Sequence, residues 1–346
     1  MTYAPEQLTD LSPDDIVLES LPEEIVAAME SRDRWVAGLP QPTDAFEFLV
    51  SDVQAWAPDQ VVRVAFMGGD TTLHNKIADA CQEITDACGI TLDFGGGRGG
   101  FRTWTTRDTE HAAEIRVSFD MGGYFSLVGT DSISTFVPHQ SPVGGRPNQR
   151  SLNLGGYDQA LPPRWKGTVL HEFLHALAFH HEHQNTRGPC EAAFRWDDDP
   201  GYQPVQDRQG RFIPDASGRR PGIYTYLSGF PNFWSRAKVD HNLRGLREGG
   251  GITAGRFDPA SIMLYRFPAM FYRTTPSPCA PIGEGESLSE GDKAALLRLY
   301  PEIPDDRKQI VERRMTIADE IEQQAREVPA ATFIEPTVTQ LRAGIT

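Results

Sequence analysis

"HEFLHALAFHHEH", residues 171–183, carries five of the nine histidines of a 346-residue chain, with two glutamates among them. On a helix, residues four apart stack one turn above the other, so His171 and His175 can offer two imidazoles to one metal ion. Glu172 follows the first histidine and can reach a water at that metal without ligating the metal itself. A hydrolytic zinc site needs this division of labour, in which some groups hold the ion and a carboxylate takes the proton of water. Short motifs also arise by chance, so the continuation decides. His181 stands six residues past His175, where an unbroken helix would point it away from the first two. It can join them only if the chain turns sharply after about residue 178. His180 and His183 compete for the same third position, since no spacing argument excludes either.

The rest of the chain bounds the reading. A chain of this length buries a substantial core. Hydrophobic residues make up 39% and charged residues 23%, the composition of a globular protein. A formal net charge of -15 argues against a nucleic-acid surface, which needs clustered Lys and Arg. No run is long and apolar enough to span a bilayer. The opening "MTYAPEQLTDLSPDD" has neither a positive n-region nor an apolar h-region. The expectation is therefore a cytoplasmic protein or one exported by a non-classical route. Four cysteines (Cys81, Cys88, Cys190, Cys279) are too few for a disulfide scaffold but allow one or two bridges. Cys81 and Cys88, seven apart on one helix face, are poorly placed to pair with each other.

Periodicity organises the first half. A helix is expected within 12–32 after the "SPDD" cap signal, followed by a break at "GLPQPTDA". "VVRVAF" (61–66) reads as a buried strand. Leu73, Ile77, Ala80, Ile84 and Ala87 recur at helical spacing. "ITLDFGG" (90–96), "AEIRVSFD" (113–120) and "RSLNLGG" (150–156) read as further strands, giving a mixed α/β layer. Beyond residue 183 the chain is rich in Gly, Pro, Asp and Arg, an irregular excursion with a hairpin near "RQGRFIPDASGR". "LSEGDKAALLRLYP" (288–301) is a capped helix. Residues 304–327 form a charged helix whose stripe (Ile310, Met315, Ile317, Ile321) is expected to pack on the main body. "FMGGD" (66–70) ends a strand, and Asp70 is expected to cap the next helix. His74, His111 and His139 are single histidines without partners, and nothing ties His241 to the zinc motif.

The spacing His171-Glu172-x-x-His175-x-x-x-x-x-His181 resembles the long zinc motif of the metzincin peptidases, and its pattern favours His181 over His180 and His183 as third ligand. That pattern has glycine at the turn, where this chain has Ala178. "FDPASIMLY" (257–265) resembles the Met-turn of astacin-like enzymes, with Leu264 in place of the common histidine. "HHEHQN" (180–185) and the 288–301 helix resemble the same bacterial astacin-like and matrixin-like group, over roughly residues 58–302. The resemblance implies an α+β, zincin-like fold: a twisted mixed β-sheet with an active-site helix above an irregular C-terminal subdomain. It implies a catalytic domain at 58–302, with an upper part 58–181 and a lower part 182–302. Residues 1–57 are expected to form an N-terminal helical extension and 303–346 a C-terminal helix and tail.

It further implies a zinc-dependent endopeptidase acting on protein or peptide substrates. His171, His175 and His181 would hold Zn2+, Glu172 would be general base, and Tyr265 would ligate zinc at rest or meet the oxyanion. Met263 would floor the metal, Glu182 would be a buried structural carboxylate, and "AEIRVSFD" would be the edge to which substrate adds. The alternative is a zinc-binding metzincin-fold module that is latent or has lost proteolysis, motivated by Ala178 and Leu264. Residues 1–50 could cover the cleft. Oligomeric state is left open.

Overall fold

In the computed structural model the described residues are 21–36, 50–51, 54–96, 100–135, 140–246, 252–253, 255–325 and 334–342. The possible cover formed by residues 1–50, the first part of the expected 12–32 helix, and His139 therefore fall wholly or partly outside the described residues. Helix α1 spans Glu23–Val36. Strand β1 spans Val61–Met67, and its alternation buries Val62, Val64 and Phe66. Asp70 then starts α2 (Thr71–Thr85) by accepting the Leu73 N–H at 2.8 Å. The face carrying Leu73, Ile77, Ala80, Cys81 and Ile84 turns inward.

Four short strands complete the main sheet: β2 (Thr91–Asp93), β3 (Ile115–Ser118), β4 (Tyr124–Ser126) and β5 (Leu152–Leu154). The order across the sheet is β2-β1-β3-β5-β4, parallel throughout except for β4, which runs antiparallel to β5. This is the mixed α+β architecture expected. One assignment is corrected. The segment 113–120 is not an edge, because β3 pairs with β1 on one side (Val64 with Ile115) and β5 on the other (Val117 with Leu152). The edges are β2 and β4. Helix α3 (Trp165–Ala176) lies on this sheet with Val169, Leu170, Phe173 and Leu174 buried against it. A close approach fixes one residue at its start: a Cβ on Gly167 would stand 2.0 Å from the carbonyl oxygen of Gly285.

Arg116 on β3 is fully buried and donates to the carbonyls of Ala113, Glu114, Ser132, Gly144 and Gln149. It gathers the loops beneath the sheet into one network.

A second core lies below the zinc motif, built from Phe194, Trp196, Ile223, Leu227, Val239, Leu243, Phe267 and Phe271. It includes helix α4 (Arg236–Leu243) and a disulfide between Cys190 and Cys279, 89 residues apart. Cys81 and Cys88 are buried thiols. The expected hairpin is present, pairing Val205–Gln206 with Phe212–Ile213. The aspartates of this excursion serve its backbone: Asp207 Oδ1 accepts from Gln209 and Arg211 N–H, and Asp215 Oδ1 from Ser217 and Arg219 N–H.

Helix α5 (Glu290–Leu299) opens on a capping box between Ser289 and Asp292. It leads into α6 (Pro304–Ala325) and α7 (Ile334–Arg342). Ile317 and Ile321 of the expected stripe do not pack on the main body; they meet Val338 and Leu341 of α7 in a small separate core.

Candidate active site

Helix α3 brings His171, Glu172 and His175 into the interior, each no more than 6% exposed. Its last turn closes with Phe179 N–H on the Leu174 carbonyl at 3.1 Å and Ala178 N–H on the His175 carbonyl at 2.9 Å. This Schellman pattern demands a left-handed residue at the turn, and Ala178 supplies it at φ 73°. A non-glycine residue there costs about 1–2 kcal/mol. The turn reverses the chain and carries His181 back to the first two rings.

The Nε2 atom of His175 lies 3.1 Å from that of His171 and 3.1 Å from that of His181. On the far side of each ring, Nδ1 faces an oxygen. His171 Nδ1 meets the Ile262 carbonyl at 2.9 Å, and His175 Nδ1 the Phe179 carbonyl at 2.7 Å. His181 Nδ1 stands 3.3 Å from Gln184 Oε1. Those oxygens hold the proton on Nδ1 and leave each Nε2 a lone pair pointing at its neighbours. Three converging lone pairs repel one another unless a cation sits among them. Nitrogens bound at 2.0–2.1 Å to one tetrahedral zinc stand roughly 3.4 Å apart, close to what is seen. The donor set therefore fits zinc, and these three are the His, Cys, Asp or Glu group able to hold a metal among the described residues.

His180 and His183 do not join the group. His183 lies behind it, its ring 4.9 Å from that of His181, with Nε2 2.8 Å from the Asn242 carbonyl. The Tyr265 ring is brought to the same place, centred 4.4 Å from His181 and 5.1 Å from His171. Met263 is 2% exposed, and its carbonyl accepts the Glu182 N–H at 3.0 Å, so the turn at 261–263 and the chain after His181 are joined directly. Glu182 Oε1 accepts from Asp258 N–H at 2.9 Å and Asn185 Nδ2 at 3.0 Å. Burial pushes this carboxyl up to about 7 despite those bonds.

Tyr124 on the edge strand β4 lies close enough to Glu172 to feel its charge. Burial first, and that charge second, push its phenol up to about 12. Its ring packs edge-on against Tyr157 at 5.6 Å.

Two groups with evident roles at the site escaped the sequence reading. Gln184 orients His181 while its Nε2 donates to the carbonyls of His241 at 2.8 Å and Arg244 at 3.3 Å. The signal was the "HEHQ" continuation itself, read for its glutamate alone. His241 is thereby tied to the site through its backbone, and its ring meets Glu30 of α1 at 3.3 Å. Asp292 is the second, accepting from Ser261 Oγ at 2.6 Å and Ile262 N–H at 2.9 Å. His74, expected to lack partners, stacks on Phe66 at 4.1 Å and bonds the Gly68 carbonyl. His111 bonds the Gly145 carbonyl at 2.7 Å.

No family model and no curated protein sequence matches the chain. Solved structures do. One structure of myroilysin is 26% identical, with a TM-score of 0.51, over 73% of this chain and 98% of that one. A crystal structure of myroilysin is 21% identical, TM-score 0.43, over 83% and 100%. High choriolytic enzyme 1, a hatching enzyme zinc-protease from the medaka fish Oryzias latipes, is 17% identical, TM-score 0.40, over 74% and 98%.

Proposed function

We propose that this chain, an astacin-like metzincin by its motif, its histidine triad and its fold, is a zinc-dependent endopeptidase. The observation that carries the reading is the convergence of three buried Nε2 atoms beside a carboxylate on the same helix. His171, His175 and His181 would hold the ion. Zinc, when bound there, supplies a Lewis acid that polarises a carbonyl and lowers the pKa of water.

The chain's own groups would do the rest. Glu172 would take the proton of the attacking water on its carboxylate and return it to the leaving amine. That carboxylate is buried, at 2% exposure. Tyr265, stacked among the histidines, would direct its hydroxyl at the developing oxyanion. An extended peptide would add its main chain to the free edge of β4, beside Glu172. This edge replaces the 113–120 strand in that role. Substrates are proteins or peptides. Among the described residues no helix is long and apolar enough to cross a membrane.

The test is zinc content and casein cleavage on one purified sample of wild type and Glu172→Gln. Cleavage abolished with zinc retained supports the assignment. Full activity in the variant overturns Glu172 as base, and wild-type zinc without cleavage of any broad peptide library overturns the peptidase.

The disulfide supports export to an oxidising compartment. A thiol titration of the unfolded, unreduced protein from its native source should find two free thiols; four would remove that support.

A further inference from the structure

The Schellman turn after α3 satisfies the carbonyls of Leu174 and His175 and leaves those of Ala176 and Leu177 without helical partners. Both are met from elsewhere in the chain. Trp56 Nε1 donates to the Ala176 carbonyl at 2.7 Å, across 120 residues. The Tyr300 hydroxyl donates to the Leu177 carbonyl at 3.0 Å, across 123 residues, and accepts the Trp56 N–H at 3.3 Å. Both side chains are fully buried. Trp56 is in turn held by Arg314 of α6, whose guanidinium donates to the carbonyls of Ala55 and Trp56 and, through Nε, to that of Leu341 in α7.

The segment before Trp56 is clamped as closely. Gln54 donates to Asp131 Oδ2 at 2.7 Å, and its carbonyl accepts the Thr130 N–H at 2.8 Å. A Cβ on Gly129 would stand 2.0 Å from that carbonyl oxygen and 3.1 Å from the Cβ of Ala178. The strained alanine turn is thus enclosed by residues 54–56, Gly129 and Tyr300.

We infer that Trp56 and Tyr300 are positioning residues for His181, acting through the Ala176–Ala178 turn, and that Arg314 makes the C-terminal helical hairpin part of that support. The physical reason is the turn residue. A glycine would hold a left-handed backbone unaided, whereas Ala178 is held there against its own preference. The two donors stabilise the one conformation that returns His181 to the other histidines. The inference rests on the zinc site proposed above and extends it to elements outside the segment carrying the motif.

The experiment uses full-length protein stripped of metal. Zinc affinity is read by competition with a chromophoric chelator, and site geometry by the visible spectrum of the cobalt(II)-loaded protein. Trp56→Phe removes the indole N–H donor and trims the ring system, whereas Tyr300→Phe keeps its ring and removes the hydroxyl that donates to the Leu177 carbonyl and accepts the Trp56 N–H. Each should weaken zinc about 10-fold and shift the cobalt bands. Arg314→Met should weaken zinc in the same direction. Adding Ala178→Gly to Trp56→Phe should return affinity to within about 3-fold of wild type, because glycine needs no support at that φ. A purely structural role would lower the melting temperature of the metal-free variants and leave zinc affinity and the cobalt spectrum unchanged. Affinity within twofold of wild type in both phenylalanine variants, or no restoration by Ala178→Gly, overturns the inference. If one variant does not fold, the other decides. Wild type that binds no zinc overturns the proposed function together with this inference; wild-type binding with unaffected variants overturns this inference alone.

Discussion

His171 Nδ1 and the carbonyl of Ile262 meet at 2.9 Å across 91 residues of chain. Ile262 is fixed from its other side, where its N–H donates to Asp292 Oδ2 and the neighbouring Ser261 hydroxyl to Asp292 Oδ1. One carboxylate that caps α5 therefore also sets the orientation of a ring on α3. Asp292→Asn keeps the shape and breaks the acceptor pattern, since an amide nitrogen cannot accept. It should weaken zinc roughly 10-fold, as loss of an outer partner of a metal ligand does. The check is chelator competition on the purified variant.

Tyr265→Phe keeps the ring stacked among His171, His181 and His183 and removes only the hydroxyl. Zinc content should stay at wild-type level while kcat falls about 100-fold, the size of losing one oxyanion donor. A change confined to KM would instead place the hydroxyl in ground-state substrate binding.

Arg116 is a buried cation with five backbone acceptors. Arg116→Met removes the charge and strands those carbonyls together. Each buried carbonyl left unsatisfied costs about 1–3 kcal/mol, so losing several takes a marginal domain close to unfolding at 37 °C. Urea denaturation with the wild-type slope and a lower midpoint would show it.

Glu114 lies half-buried beside Arg63. Burial alone would raise its carboxyl, but Arg63 Nε, NH2 and backbone N–H outweigh burial and hold it below the usual glutamate value. A carboxyl lowered in the folded state contributes stability that is complete above its unfolded value, about pH 4.3, and is lost as pH falls through the folded value. Glu114→Gln should therefore be less stable than wild type near neutrality and converge with it below about pH 4. Because the Arg63 side chain is 42% exposed, the gap is expected to be below about 1 kcal/mol. Melting temperatures from pH 3 to 7 measure it.

The zinc motif was legible because its chemistry is local: His171 and His175 share a helix face, and the distance to His181 demands a turn. Of the residues that orient or support those rings, Gln184 lies three residues from His181, whereas Ile262, Asp292, Trp56 and Tyr300 were not legible because they reach the site across 90 residues or more. The sheet shows a different failure. "AEIRVSFD" alternates apolar and polar residues and reads as a strand; its place at the edge was what the family resemblance implied, not the alternation. Arg116 and Ser118 on the polar face are in fact fully buried, their polar atoms taken up by backbone carbonyls and Asn153. Period-two alternation reports polarity, and polarity matches exposure only where water is the partner. The edge strand Tyr124–Ser126 is three residues long, too short for any alternation to appear. The C-terminal stripe misled for a related reason: an apolar face shows that a partner exists, not which of two bodies provides it.

The Cys190–Cys279 bridge encloses the Val205–Ile213 hairpin, whose tip strands are among the exposed apolar positions, and also Met263 and Tyr265. A single backbone cut in that hairpin, by the protein on itself or by another peptidase, would separate the histidines from the Met263–Tyr265 segment in sequence but not in covalent connection. Nicked molecules would run as one species without reductant and as two fragments with it. The site can thus lose chain continuity while the Cys190–Cys279 bridge keeps the histidines and the Met263–Tyr265 segment in one covalent molecule.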